Sequence, residues 1–255
     1  MSINRIKKRI LQIAFSAREG HLGSSFSILD VLHVLYDKVM NISPSNVGCD
    51  ERDYMILSKG HASLAHAAIL EDQGFINSDQ LNSYCSYESI LGGHLSRCKV
   101  AGVEASTGSL GHGISISIGI ALASKIKGIN NRVFVVVGDG EINEGTFWEA
   151  MLLGANYNLD NLYCIVDYNR SNDRALRLDP LDQKLISMGW DVLSINGHSH
   201  KEILDAVSQN KSGKPRAVIA HTIKGNGIKE MENNPAWHHR MPNEQELSSM
   251  LEELS

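Results

Sequence analysis

The stretch VVVGDGEINEGTFWEAMLLGANYNLDNLYCIVDYNRS, residues 135–171, runs from one apolar segment to another and places a glycine-flanked aspartate where the first one ends. Extended upstream to RVFVVV, the first segment is a continuous β-branched run, as expected of a strand buried on both faces. GTFWEAMLLGANYN reads as a helix and NLYCIVDYN as a second buried strand, which together make a strand–helix–strand unit. A right-handed crossover leaves both strands running the same way. Asp139 and Asn169 should therefore emerge together at the carboxyl edge of a parallel sheet, where ligands of open α/β folds sit.

Outward from this unit, apolar residues at helical spacing predict helices over 3–17, 27–39, 61–73 and 113–126, the third preceded by the short apolar stretch YMILS. Downstream the alternation continues as helix 180–188, strand WDVLSI, helix 199–209 and strand RAVIAHT, and NEQELSSMLEEL predicts a closing helix. The expected fold class is α/β, a mostly parallel sheet with helices on both faces. No internal repeat or low-complexity linker divides the chain, so residues 1–255 are expected to form one domain.

Composition narrows the function. At 255 residues and 42% hydrophobic, the chain can bury a full core. Its 24 basic and 29 acidic residues give a net charge of −5, which argues against a broad surface for nucleic acid or anionic lipid. Cys49, Cys85, Cys98 and Cys164 are far apart, without a C-x-x-C pair, which fits a reducing cytoplasm better than a zinc cluster or a disulfide framework. In the first twenty residues Gln12 interrupts a short apolar run, so the segment reads as an amphipathic helix rather than a signal peptide. No segment is long enough to span a membrane.

A carboxylate and a side-chain amide are hard donors suited to Mg²⁺ or Ca²⁺, and Mg²⁺ commonly completes its shell with phosphate oxygens and water. Gly138 and Gly140 would let backbone approach a phosphate, and a helix starting near Thr146 would add its positive end. Taken singly, Gly-Asp-Gly is a turn and Asn169 a cap. Together they point to a metal-bound diphosphate.

Gly138-Asp139-Gly140, followed after 28 residues by Asn169 behind an apolar strand, resembles the metal–diphosphate signature of thiamine diphosphate enzymes. EGHLGSS at 19–25, LSKGHAS at 57–63, GGHLSR at 92–97, GVEASTGSLGHGISISIGIALA at 102–123, and HTIKGNG followed by NNPAWHHR extend the likeness over nearly the whole chain. In order and spacing they are similar to the N-terminal third of transketolase. The resemblance implies a thiamine diphosphate-binding fold in which Asp139 and Asn169 hold the divalent ion through side chains and Ser171 through its carbonyl. Gly140 would lie against the diphosphate, and Gly108 and Leu110 beside the thiamine. Glu144 would sit at the interface that completes the cofactor site. His21, His61, His94 and His238 would surround the reacting carbon and the sugar oxygens, donating hydrogen bonds and relaying protons. Lys224 with His238 would belong to a basic loop closing over the diphosphate. His33, His66, His198, His200 and His221 carry no such assignment and are expected to be structural.

The resemblance stops short of a full transketolase, whose pyrimidine-binding and C-terminal domains lie beyond the matched third. Those domains supply the glutamate that activates the cofactor and the principal sugar-phosphate arginines. The expectation is an N-terminal subunit of a split transketolase. With a C-terminal subunit, as an α₂β₂ assembly, it would pass a two-carbon ketol unit from a ketose (phosphate) donor to an aldose acceptor through a thiamine diphosphate adduct. Two alternatives are the alpha subunit of a thiamine-dependent 2-oxoacid dehydrogenase or decarboxylase, and a non-catalytic regulatory homologue. GHLG, KGHAS and Trp237-His238 favour ketol transfer. The chain departs from the family at WHHR, where Trp-His-Gly is usual, and at His112, where glutamine is common.

Overall fold

The computed structural model describes residues 2–173, 175–208 and 212–255. In chain order the elements are α1 (Ile3–Ala17), α2 (Leu22–Val34), β1 (Tyr54–Leu57), α3 (Ser63–Asp72), α4 (Ser78–Asn82), α5 (His112–Lys127) and β2 (Val133–Gly138). They continue as α6 (Gly145–Asn156), β3 (Leu162–Tyr168), α7 (Leu181–Ser187), β4 (Asp191–Asn196), α8 (His200–Ser208), β5 (Arg216–His221) and α9 (Glu244–Glu253). Among the described residues the strands form one sheet in the order β1-β2-β3-β5-β4, with every pairing parallel.

The period-two alternation of strand side chains divides the core between two layers. Met55, Leu57, Phe134, Val136, Tyr163, Ile165, Val218 and Ala220 pack on one face with α1, α2, α3 and α8. Ile56, Val133, Val135, Val137, Leu162, Cys164, Val166 and Ile219 pack on the other with α5, α6 and α7. Every residue of β2 and β3 is buried, which is why both read as near-continuous apolar runs, Asp167 in β3 apart, rather than alternating ones.

The largest departures from the sequence-based helix bounds are in α2 and α3. α2 begins at Leu22, not residue 27, and its last turn, Leu35–Val39, is a π-helix. Every residue from Leu22 to Val34 is buried, so the helix has no polar face from which a start can be read. Residues 60–62 form a 3₁₀ turn before α3. α4 has no counterpart among the sequence-based helices because it is a single capped turn, with Asn77 and Gln80 exchanging capping bonds. The end of the expected helix 199–209 at Gln209 lies outside the described residues. No helix among the described residues is long and apolar enough to cross a membrane.

Candidate active site

The carboxyl ends of β1, β2, β3 and β5 meet on one side of the sheet. The register sets Gly138 beside Asp167 and Tyr168 beside His221, so the residues that follow each strand converge. Beneath that edge lies a buried ionic frame. Asp167 accepts hydrogen bonds from the Lys59 ammonium, Ser27 Oγ at 2.6 Å and the Thr222 hydroxyl, and Lys59 Nζ also reaches Ser24 O at 3.2 Å. Burial opposes ionisation of Asp167, but Lys59 and the hydroxyl donors outweigh it and hold the carboxyl below its ordinary range.

This frame orients the predicted metal ligand. Asn169 Nδ2 donates to Asp167 Oδ2 at 3.2 Å, which leaves Oδ1 as the outward acceptor; it takes the backbone N–H of Ser171 at 3.1 Å and the Ser171 hydroxyl. Asp139 is buried, and its two oxygens accept the N–H groups of Gly140 at 2.8 Å and Asn172 at 3.4 Å. Burial and then the charge of Asp167 raise its pKa, against the N–H donors of Gly140 and Asn172 and the charge of Lys59. A buried carboxylate beside an amide oxygen fixed as an acceptor fits a divalent ion with oxygen ligands.

Asp139, Gly140, Asn169 and Ser171 line one open cleft with Leu110, Lys224, His21, His61, His94 and His238. Three of those histidines cluster, with ring centroids of His21 and His61 5.6 Å apart and those of His21 and His238 6.4 Å apart. Burial and the charge of Lys59 push the His61 pKa down to about 3, and burial lowers that of His21. Lys224 Nζ donates to His238 Nδ1 at 2.8 Å, and that positive charge, followed by burial, lowers the pKa of His238. His21 Nδ1 in turn bonds Glu19 Oε1 at 2.8 Å. At neutral pH these are neutral rings: His21 presents an Nε2 acceptor, and His238 an Nε2–H donor.

Two predicted residues stand beside the cleft rather than in its lining. Gly108 packs against His94, where a Cβ would lie 3.1 Å from the imidazole. Glu144 is exposed at the start of α6 and touches the loop before α5. There Gly111, at φ +80°, brings its backbone so close that a Cβ would be 2.6 Å from that of Glu144. His112 is exposed and bonds Ser109 and the Leu110 carbonyl. Four of the five histidines without an assignment have hydrogen-bond partners elsewhere: His66 with Tyr36, His198 and His200 with Asp30, and His221 with Ser194; His33 packs against His200 with ring centroids 5.6 Å apart, its buried Nδ1 without a hydrogen bond among the described residues.

Sequence reasoning passed over Lys59, Asp167 and Glu141. Glu141 is buried and binds the Ser58 hydroxyl, Gly111 N at 2.9 Å and Gly138 N at 3.1 Å, pinning three loop starts to one carboxylate. The signal was available for Asp167, since a charge inside LYCIVDY demands a buried partner. Nothing local marked Lys59 as that partner.

Comparison with known proteins agrees with this geometry. Residues 2–254 match the family model described as transketolase, thiamine diphosphate binding domain. The chain is 39% identical over 256 residues to one subunit of the apulose-4-phosphate transketolase of Actinobacillus succinogenes, covering 98% of this chain and 93% of that one. It is 36% identical over 258 residues to a 6-deoxy-6-sulfo-D-fructose transketolase subunit of a Clostridium species, covering 98% and 94%. The crystal structure of Campylobacter jejuni transketolase superposes with a TM-score of 0.93 at 29% identity, covering 99% of this chain and 42% of that longer one. These relatives do not favour the 2-oxoacid dehydrogenase alternative. With an all-parallel sheet, Asp139 and Asn169 on one edge and a histidine cluster facing them, the chain belongs to the transketolase family and carries its thiamine diphosphate-binding domain.

Proposed function

We propose that this chain is the N-terminal subunit of a split transketolase. It would hold the diphosphate and metal half of an active site whose pyrimidine half comes from a C-terminal partner subunit in an α₂β₂ assembly in the cytoplasm. The observation that carries this reading is the single cleft uniting Asp139, Gly140 and Asn169 with His21, His61, His94 and His238. Asp139, the Asn169 amide oxygen and the Ser171 carbonyl are the proposed ligands of Mg²⁺ or Ca²⁺, and Lys224 is the cation above the diphosphate. Thiamine diphosphate, when bound, would supply the carbanion stabilisation that ketol transfer needs.

The chain's own residues orient the sugar and manage its protons. Neutral His21 accepts a hydroxyl proton, while His238 donates to an oxygen, and His61 is held uncharged by burial and Lys59. Gly108, Leu110 and Glu144 are the residues proposed to meet the partner's pyrimidine domain. Exposed apolar side chains on the outer faces of α5 and α6, Ile116 at 40% and Leu152 at 57% exposure, support a partner there.

The test is calorimetry of thiamine diphosphate and Mg²⁺ binding to the assembled complex carrying Asp139→Ala. The expected result is collapse of cofactor binding with the complex still assembled. Wild-type affinity would remove the metal assignment. Unaided ketol transfer by the purified single chain would instead overturn the split-enzyme reading.

A further inference from the structure

Where transketolases usually carry glycine after Trp-His, this chain has His239, and the fold delivers that histidine to Glu19 and His21. The delivery depends on a close backbone approach. Arg240 N donates to Gly20 O at 3.3 Å, and a Cβ on Gly20 would lie 2.6 Å from Arg240 N, so a larger residue at position 20 would hold the two segments apart. His239 then packs edge-on to His21 with ring centroids 4.4 Å apart. His21 Nδ1 lies 2.8 Å and His239 Nε2 3.4 Å from Glu19 Oε1, and all three donor atoms fall within 4.8 Å of one another.

Those spacings have a chemical meaning. Donors on a tetrahedral zinc ion, bound at about 2.0–2.1 Å, stand about 3.3 Å apart. Two imidazoles and one carboxylate with an open fourth position form the donor set of zinc sites that keep a water or substrate ligand. Imidazole also prefers zinc over magnesium, which separates this triad from the all-oxygen site at Asp139 and Asn169. The Glu19 carboxylate is already oriented by the Gly20 N–H at 2.9 Å.

We propose that Glu19, His21 and His239 form a second metal site, selective for zinc-class ions, at the mouth of the cleft. Occupation of His21 Nδ1 moves its ring proton to Nε2. What His21 offers the cleft then changes from an acceptor to a donor, so the ion acts as an inhibitor. The binding site itself is independent of the split-enzyme reading; only the inhibition depends on it.

The test titrates the tag-free full chain, saturated with Mg²⁺, with Zn²⁺ by calorimetry and with Co²⁺ by visible absorption. One equivalent should bind, with the intense Co²⁺ bands of a four- or five-coordinate nitrogen site. His239→Ala and Glu19→Gln should each weaken binding about tenfold or more, whereas His94→Ala should leave it unchanged. The His239 side chain is 62% exposed, so its removal leaves the fold intact, and circular dichroism verifies this. Undiminished affinity in His239→Ala, or no site beyond that for Mg²⁺, would overturn the proposal. With the partner subunit present, Zn²⁺ should inhibit the wild-type complex more strongly than the His239→Ala complex.

Discussion

Lys59→Met tests whether the ionic frame under the cleft is what keeps Asp167 charged inside the sheet. Lys59 is 1% and Asp167 0% exposed, so removing the ammonium strands a carboxylate with only hydroxyl and amide donors. Breaking a buried pair from one side costs about 3–5 kcal/mol, against about 5–15 kcal/mol for a typical domain. Urea unfolding at pH 7, followed through Trp148, Trp190 and Trp237, should show that loss as a lower midpoint with little change in slope. Replacing both partners, Lys59→Met with Asp167→Leu, should recover most of it, because an apolar pair needs no counter-charge. The pH dependence has a defined sign. In the native protein Asp167 has a depressed pKa, so its contribution is present above the unfolded carboxylate range and is lost as pH falls through the folded pKa. In Lys59→Met burial dominates and raises that pKa, so the variant's deficit should shrink on acidification. A loss below about 1 kcal/mol at pH 7, the scale of an exposed pair, would refute the claim that this pair is a buried frame.

His66, fully buried and bonded to Tyr36, has a folded pKa of about 3 against 6.5 ordinarily. The unfolded chain therefore binds the extra proton, and stability should fall as pH drops below 6.5. The loss at pH 5 is about 2 kcal/mol by linkage, measurable as a steeper acid decline than in His66→Gln. His61→Ala in the assembled complex should spare thiamine diphosphate affinity and lower turnover by about 10²-fold or more; an equal loss of cofactor affinity would place His61 at the diphosphate instead. Leu152→Asp with Leu153→Asp should leave the single chain's unfolding curve unchanged and weaken assembly with the partner, read by sedimentation; undisturbed assembly would move the interface off α6.

The layered α/β class was legible along the chain, because RVFVVV and LYCIV are short, β-branched-rich apolar runs of strand length and a helix of fitting length joins them. The same pattern also determined that Asp139 and Asn169 share an edge, since that follows from parallel crossover alone. The start of α2 was illegible because a helix buried all round carries no periodicity, and α4 because one turn is too short to show any. Only the tertiary structure decided which residues answer one another across the sheet. Lys59 and Asp167 come together across 108 positions of sequence, and His239 reaches Glu19 because the chain passes within contact of Gly20. Pattern along a chain records the face each residue turns to the core. Pairing between distant charges depends on strand order and loop closure, which no local pattern encodes.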